Sequence, residues 1–163
     1  AESANSLIDQ GVDVLTCHVD SPKVVVETAE KRGVYSCGYH ADQSKLAPKG
    51  FLTGAEWNWS KVYLDYATMI ANGSKIPNLI RGGFKEGLVK SSPYGTAVSA
   101  KAKADADKVR AQFLKGDFVV YKGPIKDNTG KEVIPKGKQY GQTDIWLESM
   151  DWLVEGVVGR TKG

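Results

Sequence analysis

The chain has only two cysteines, Cys17 and Cys37, and they do not stand at CxxC spacing, which excludes a dithiol redox motif and a zinc ribbon. Histidine is as sparse, with His18 and His40 alone. No stretch approaches the ~20 consecutive apolar residues of a membrane-spanning helix, and no apolar secretory segment opens the chain. An excess of positive charge is also missing. The 22 Lys and Arg against 19 Asp and Glu leave a net charge of +3, spread along the chain, so nucleic acid is not an expected partner. There is no tandem repeat, no low-complexity linker, no nucleophile elbow and no phosphate loop. The first residues, Ala-Glu-Ser-Ala-Asn, lack an initiator Met and read as a mature form or a fragment.

What is present is the composition of a soluble globular protein, with 41% hydrophobic and 25% charged residues in a length of 163, enough for one ordinary domain. Residues 2–10 predict a helix on which Ala4, Leu7 and Ile8 share a face, ended by Gly11. Val12 to Val19 then predicts a buried parallel strand. Ser21-Pro22 predicts an N-cap followed by a first helical residue, where proline's missing N–H costs nothing. The helix runs to Arg32 and Gly33 closes it, and Val34 to Tyr39 returns as a second strand. Short connections of this kind make a β-α-β unit with a parallel sheet. Further along, Phe51 to Thr53 is a short apolar stretch, and Asn58 to Asn72 a helix with Val62, Tyr66, Met69 and Ile70. Leu88 to Lys90 and Phe118 to Tyr121 predict strands, and Ala97 to Leu114 an exposed helix with Val98, Val109 and Phe113 as packing positions. Asp127 to Gly130 predicts a turn between Ile125 and Val133-Ile134, and a last helix starts near Thr143-Asp144. Trp146 and Trp152 are assigned to packing. Cys17 and Cys37 read first as small buried hydrophobes, with a disulfide open to them if the two strands are neighbours.

Ligands bind open parallel sheets at the carboxyl ends of the strands. Two strands here end in related tripeptides, His18-Val19-Asp20 and His40-Ala41-Asp42, and Ser21 joins them at a helix start with free backbone donors. Four readings stand open. Two His and two Asp could hold a metal; Asp20 and Asp42 could be a catalytic carboxylate pair; the group could be a hydrogen-bonding rim for a small polar ligand; or the Asp side chains could simply cap loops. A second cluster, Glu56-Trp57-Asn58-Trp59-Ser60, sits at a helix start. Two Trp separated by one residue cannot both enter the same core, so at least one faces solvent or a cleft. An indole stacks on planar rings, and Asn58 offers the paired donor and acceptor that read a base edge.

The succession from Leu7 to Val14, then Gly33-Val34-Tyr35-Ser36-Cys37-Gly38-Tyr39-His40-Ala41-Asp42, resembles the basic membrane protein family of ABC-transporter solute-binding lipoproteins. So do Leu52-Thr53-Gly54 with Trp57-Asn58-Trp59, the segment Gly83 to Val89, the block Tyr121 to Gly130, and Met150-Asp151-Trp152. The resemblance covers essentially the whole chain and implies the C-terminal portion of a type I periplasmic-binding fold. That fold is α/β, a parallel sheet flanked by helices, here one lobe plus hinge-crossing segments of a two-lobe protein. The N-terminal lobe is largely absent, and the segment about 54–80 is expected to cross the hinge and pack with it.

The resemblance further implies an extracytoplasmic binding subunit of an ABC importer, anchored as a lipoprotein or free in the periplasm, without catalysis, metal or cofactor. Its expected partners are a small purine-type ligand, membrane permease subunits and the missing N-terminal half. In relatives the strand ending that matches His40-Ala41-Asp42-Gln43 gives an Asp to the ribose, here Asp42. The family's Thr-Ser-x-x-Lys segment lines up with Thr53-Gly54-Ala55-Glu56-Trp57, so Trp57 stands where a ribose-binding Lys is expected. That replacement favours a free base such as adenine over its nucleoside. The expected ligand-binding residues are His18, Asp20, Ser21, Tyr39, Asp42, Trp57, Asn58 and Trp59. The alternative function is a small metal-dependent enzyme using the His-x-Asp pairs.

Overall fold

The computed structural model describes residues 1–141 and 144–162. They form two compact units, 1–114 and 115–163.

The first unit is built on a four-stranded sheet in the order β1 (Val14–Leu15), β2 (Tyr35–His40), β3 (Phe51–Trp57) and β4 (Val89–Ser91). The first three strands are parallel, and β4 pairs antiparallel with β3. Helices α1 (Glu2–Asp9) and α2 (Pro22–Arg32) pack on one another, and α2 lies against β1 and β2. Their core is small: Ala4, Leu15 and Ala29 with Ile8, Val12, Val25 and Val34 around them, then Val26, Ala47 and Phe51 with Leu46. Gly33 caps α2 in the left-handed region at φ 71°, which glycine adopts without a Cβ penalty. The Glu30 carboxylate accepts from the backbone N–H of Lys49 and of Gly50, holding the loop that leads into β3.

The β-α-β reading agrees with this structure, with one correction. The strand expected over 12–19 pairs only at Val14 and Leu15, and Val14 and Val19 are exposed. β1 is an edge strand of the sheet, and of its two residues Leu15 is the buried one. Beyond it the chain leaves the ladder. The stretch at 51–53, by contrast, extends to a seven-residue central strand because β2 and β4 pair with it on either side. Helix α3 (Trp59–Ala71) buries none of its residues, and neither does α4 (Ala100–Lys115).

In the second unit β5 (Tyr121–Lys122) pairs with β8 (Gln139–Tyr140), and β6 (Ile125–Lys126) with β7 (Glu132–Ile134), all antiparallel. The turn expected at 127–130 joins β6 to β7. The Asp127 carboxylate accepts there from Thr129 N, Thr129 Oγ1 and Lys131 N. The strand expected at 118–121 is confined to Tyr121–Lys122. Of the last helix expected from 143, Thr143 lies outside the described residues, and the rest is a 3-10 turn over Ile145–Ser149. Its N-cap, Asp144, accepts from Trp146 N. Trp146 stacks on Tyr140 at 4.0 Å and tilts against Trp152 at 6.4 Å, in keeping with packing roles.

Candidate functional site

The carboxyl ends of β1, β2 and β3 come out on one rim, as the β-α-β topology requires. Tyr39 and His40 end β2, Trp57 ends β3, and His18 lies three residues beyond β1. Their rings are in contact. Tyr39 meets His18 at 4.5 Å, His40 at 4.0 Å and Trp57 at 6.3 Å between centroids. The chain of rings continues onto α3, from Trp57 to Trp59 at 6.2 Å and from Trp59 to Tyr63 at 6.0 Å. Exposure rises along it, from 38% at Trp57 through 54% at Trp59 to 68% at Tyr63, so the aromatic faces are open to a ligand. Both Trp are outside the core, which meets the requirement that the Trp-Asn-Trp spacing imposed.

Polar bonds fix the inner rings. The Tyr39 hydroxyl and His18 Nε2 are 2.8 Å apart, and the Trp57 indole N–H donates to His40 Nδ1 at 3.0 Å. The second bond requires a neutral His40 carrying its proton on Nε2. Among the described residues His40 is the one non-glycine in the left-handed region, at φ 74°. Such a conformation costs about 1 kcal/mol or more and persists where neighbours impose it. Here the indole bond and the Tyr39 ring do so. The buried Gln43 side chain holds the loop after β2 by accepting from Tyr39 N at 3.3 Å.

The other residues expected at the rim divide. Asp42 Oδ1 accepts from Ser44 N at 2.9 Å, an Asx turn of the kind that the loop-capping reading described. That backbone bond first, then the Ser44 hydroxyl, holds the Asp42 carboxyl below the usual carboxylate range, with Lys45 and Lys90 adding to it. Asp42 also lines a cavity of about 510 Å³ with Glu56, Lys90, Ser91, Tyr94 and Arg110 among its walls. Asp20 and Ser21 are exposed, and Ser21 caps α2 by position without a hydrogen bond from its side chain. Asn58 occupies the N-cap of α3, but its amide donates to Gly87 O at 2.8 Å, tying α3 to the 82–88 loop. No group of three or more His, Cys, Asp or Glu among the described residues is placed to hold a metal ion. Cys17 and Cys37 are unbonded thiols. Burial pushes both up, and the neighbouring Cys37 pushes Cys17 further.

Lys90 and Tyr63 were not singled out from the sequence, and His40 and Glu56 were quoted within candidate clusters but not among the expected ligand-binding residues. Glu56 is 7% exposed and pairs with Lys90 Nζ at 3.1 Å across β3 and β4. Only the antiparallel register that sets Glu56 opposite Lys90 brings them together, and a sequence does not show that register. Tyr63 could have been found, since it stands four residues after Trp59 on the same helix face.

The chain is 35% identical over 157 residues to a purine-binding protein of Brucella abortus, covering 96% of this chain and 44% of that protein. It is 28% identical over 160 residues to a putative ABC transporter glucose-binding protein of Haloferax volcanii, covering 98% of this chain and 37% of that one. The chain thus spans less than half the length of both. Two solved structures share its fold. A transcriptional activator of the comK gene from Bacillus halodurans has a TM-score of 0.65 at 21% identity, over 70% of this chain and 41% of that one. An ABC transporter solute-binding protein from Conexibacter woesei has a TM-score of 0.54 at 16% identity, over 72% of this chain and 40% of that one. Residues 1–116 match the Bmp family, described as ABC transporter substrate-binding protein PnrA-like, and the chain belongs to that family.

Proposed function

We propose that this chain is the ligand-contacting C-terminal portion of an extracytoplasmic solute-binding subunit of an ABC importer, and that its ligand is a purine. The observation that carries the reading is the run of open rings from Tyr39 through Trp57 and Trp59 to Tyr63 at the strand rim. Stacking on such faces contributes on the order of 1–3 kcal/mol per base. A purine-binding relative at 35% identity supports the same ligand class. The reading is binding without chemistry: the ligand is sandwiched as the remaining lobe closes on this one, and the closed complex is presented to the permease. In this reading α3 belongs to the hinge region and packs with the part of the protein that precedes this chain. Trp57 in place of the Lys that the resemblance implies favours the free base over its nucleoside.

The test is made on the full-length protein. Native mass spectrometry of the protein as purified, followed by thermal shift with adenine, adenosine and glucose, should show a retained purine or a purine-dependent rise in Tm. Stabilisation by glucose alone would replace the purine with a sugar. Zinc retained in stoichiometric amount through dialysis, with hydrolytic turnover, would replace binding with the metal-enzyme reading.

A further inference from the structure

In an extended strand neighbouring side chains point to opposite faces, so the rings of two adjacent residues do not meet. Tyr39 and His40 depart from that pattern at the end of β2, with ring centroids 4.0 Å apart. The backbone explains the departure. His40 pairs in register with Glu56, and regular alternation would set its side chain beside that residue, away from Trp57. The left-handed φ of 74° turns the imidazole out of the alternation, to the side of Tyr39 and Trp57. There its Nδ1 accepts the Trp57 indole N–H at 3.0 Å. A strained backbone conformation is thus tied to one hydrogen bond, and that bond sets how Trp57 is presented within the open ring run.

The bond holds only for one protonation state. An imidazolium carries a proton on both nitrogens and cannot accept. Histidine is the side-chain type whose charge ordinarily changes between about pH 5 and 8. The titratable groups around His40 are Tyr39 beside it, Glu56 opposite it on β3 with Lys90 of β4 at 3.1 Å from that carboxylate, Asp42 in the following loop, and His18 against Tyr39. The Asp42 carboxyl is held below the usual carboxylate range and stays ionised through that window. His18 meets a hydroxyl, which can donate or accept, so its contact with Tyr39 survives protonation of the ring. An indole N–H can only donate, so its contact with His40 does not.

We propose that His40 is a positioning residue that holds the Trp57 indole for stacking while neutral and releases it on taking up a proton, so that purine is bound more weakly in mild acid. The inference rests on the purine reading and adds a pH dependence to it. The competent form is the deprotonated one, so affinity is full at the alkaline end of the window and falls as the pH falls.

The test measures adenine and adenosine affinities by calorimetry on the full-length protein at about pH 8 and about pH 5.5, either side of the ordinary histidine range. The forms compared are wild type, His40→Asn, His40→Gly and Trp57→Phe. Asparagine and glycine both accept a left-handed backbone, so neither variant fails through strain. Asparagine keeps an acceptor oxygen close to where Nδ1 stands and takes up no proton, whereas glycine removes the acceptor. For the tighter of the two ligands, the wild type should lose roughly fivefold or more on acidification, the scale of one stacked face. His40→Asn should recover most of the alkaline affinity and keep it in acid. His40→Gly should bind weakly at both pH values, near the acid value of the wild type, and Trp57→Phe should show no pH dependence. The Trp57 indole N–H signal, identified in NMR spectra by its absence from Trp57→Phe, should move across the same range in the wild type and stay in place in His40→Asn. The same fall in affinity for wild type and His40→Asn, or an indole signal indifferent to pH, would overturn the inference and leave the purine reading standing. Binding of neither ligand at either pH would overturn the purine reading itself, and this inference with it.

Discussion

At the scale of the residue, the rim is an arrangement in which one aromatic ring orients the next. Replacing Trp57 by Phe keeps a ring but removes the N–H that meets His40 Nδ1, while Trp57→Ala removes both. In the full-length protein, purine affinity should therefore drop by about 1–3 kcal/mol for the alanine variant and by less for phenylalanine, read by calorimetry. Equal losses would mean that the N–H, not the ring face, carries the contact. Titration gives a second residue-scale prediction. Asp127 is held below the usual carboxylate range, first by the Thr129 hydroxyl and then by the N–H groups of Thr129 and Lys131. A carboxyl lowered on folding stabilises the fold above its unfolded value, near 4, and that contribution is lost as the pH falls through the lower folded value. The amide signals of Thr129 and Lys131 should accordingly shift together below about pH 4 and be flat above it. Asp127→Asn, which keeps an acceptor oxygen, should abolish the shift; a midpoint above that range would contradict the assignment. The identities of His18, Tyr39, Trp57 and Trp59 as rim residues were legible because strand ends and helix starts are marked by local signals. The Glu56–Lys90 pair was not, since it depends on a register between residues 34 positions apart in the chain.

At the scale of the element, the pairing around β3 is fixed by close approaches that only glycine permits. A Cβ at Gly95 would sit 1.7 Å from Phe51 O, the carbonyl of the first residue of β3, and no side-chain rotation relieves a clash with backbone. Gly95→Ala should therefore displace the segment after β4 and cost several times what the same change costs at Gly130, where nothing lies near and only the left-handed φ of 91° is strained, about 1 kcal/mol. Phe51, almost wholly buried against Val26 and Ala47, tests the core from the other side. Phe51→Ala should lose about 3–5 kcal/mol in urea denaturation, while Phe51→Leu loses far less. A loss under about 1 kcal/mol for the alanine variant would mean that the small cluster closes over the gap. The parallel β-α-β unit was readable because Gly11, Ser21-Pro22 and Gly33 punctuate it within forty residues. The length of β3 and the antiparallel entry of β4 were not, because partners far along the chain decide both.

At the scale of the whole molecule, helix α3 leaves apolar surface that the described residues do not cover. Helix α3 carries Tyr63, Leu64 and Ile70 all more than 60% exposed, and buries no residue in its thirteen. An amphipathic helix normally hides its apolar stripe, and a protein rarely leaves a large patch uncovered. Both curated relatives are more than twice as long as this chain, and the reading in which α3 packs across a hinge assigns the covering surface to the remainder of the protein. Leu64 tests this, since it is 67% exposed and takes no part in the ring contacts of the rim. In the 163-residue chain alone, Leu64→Glu should change the stability of the sheet by no more than about 0.5 kcal/mol, as exposed substitutions do. In the full-length protein the same change should cost about 1.5–3 kcal/mol, the worth of a buried leucine, and more if the charge is left unpaired. Paired urea titrations of the two forms read the difference directly. If the cost is small in both, α3 faces solvent in the intact protein and the segment 54–80 does not pack across the hinge. If it is large in both, Leu64 belongs to the fold of this lobe.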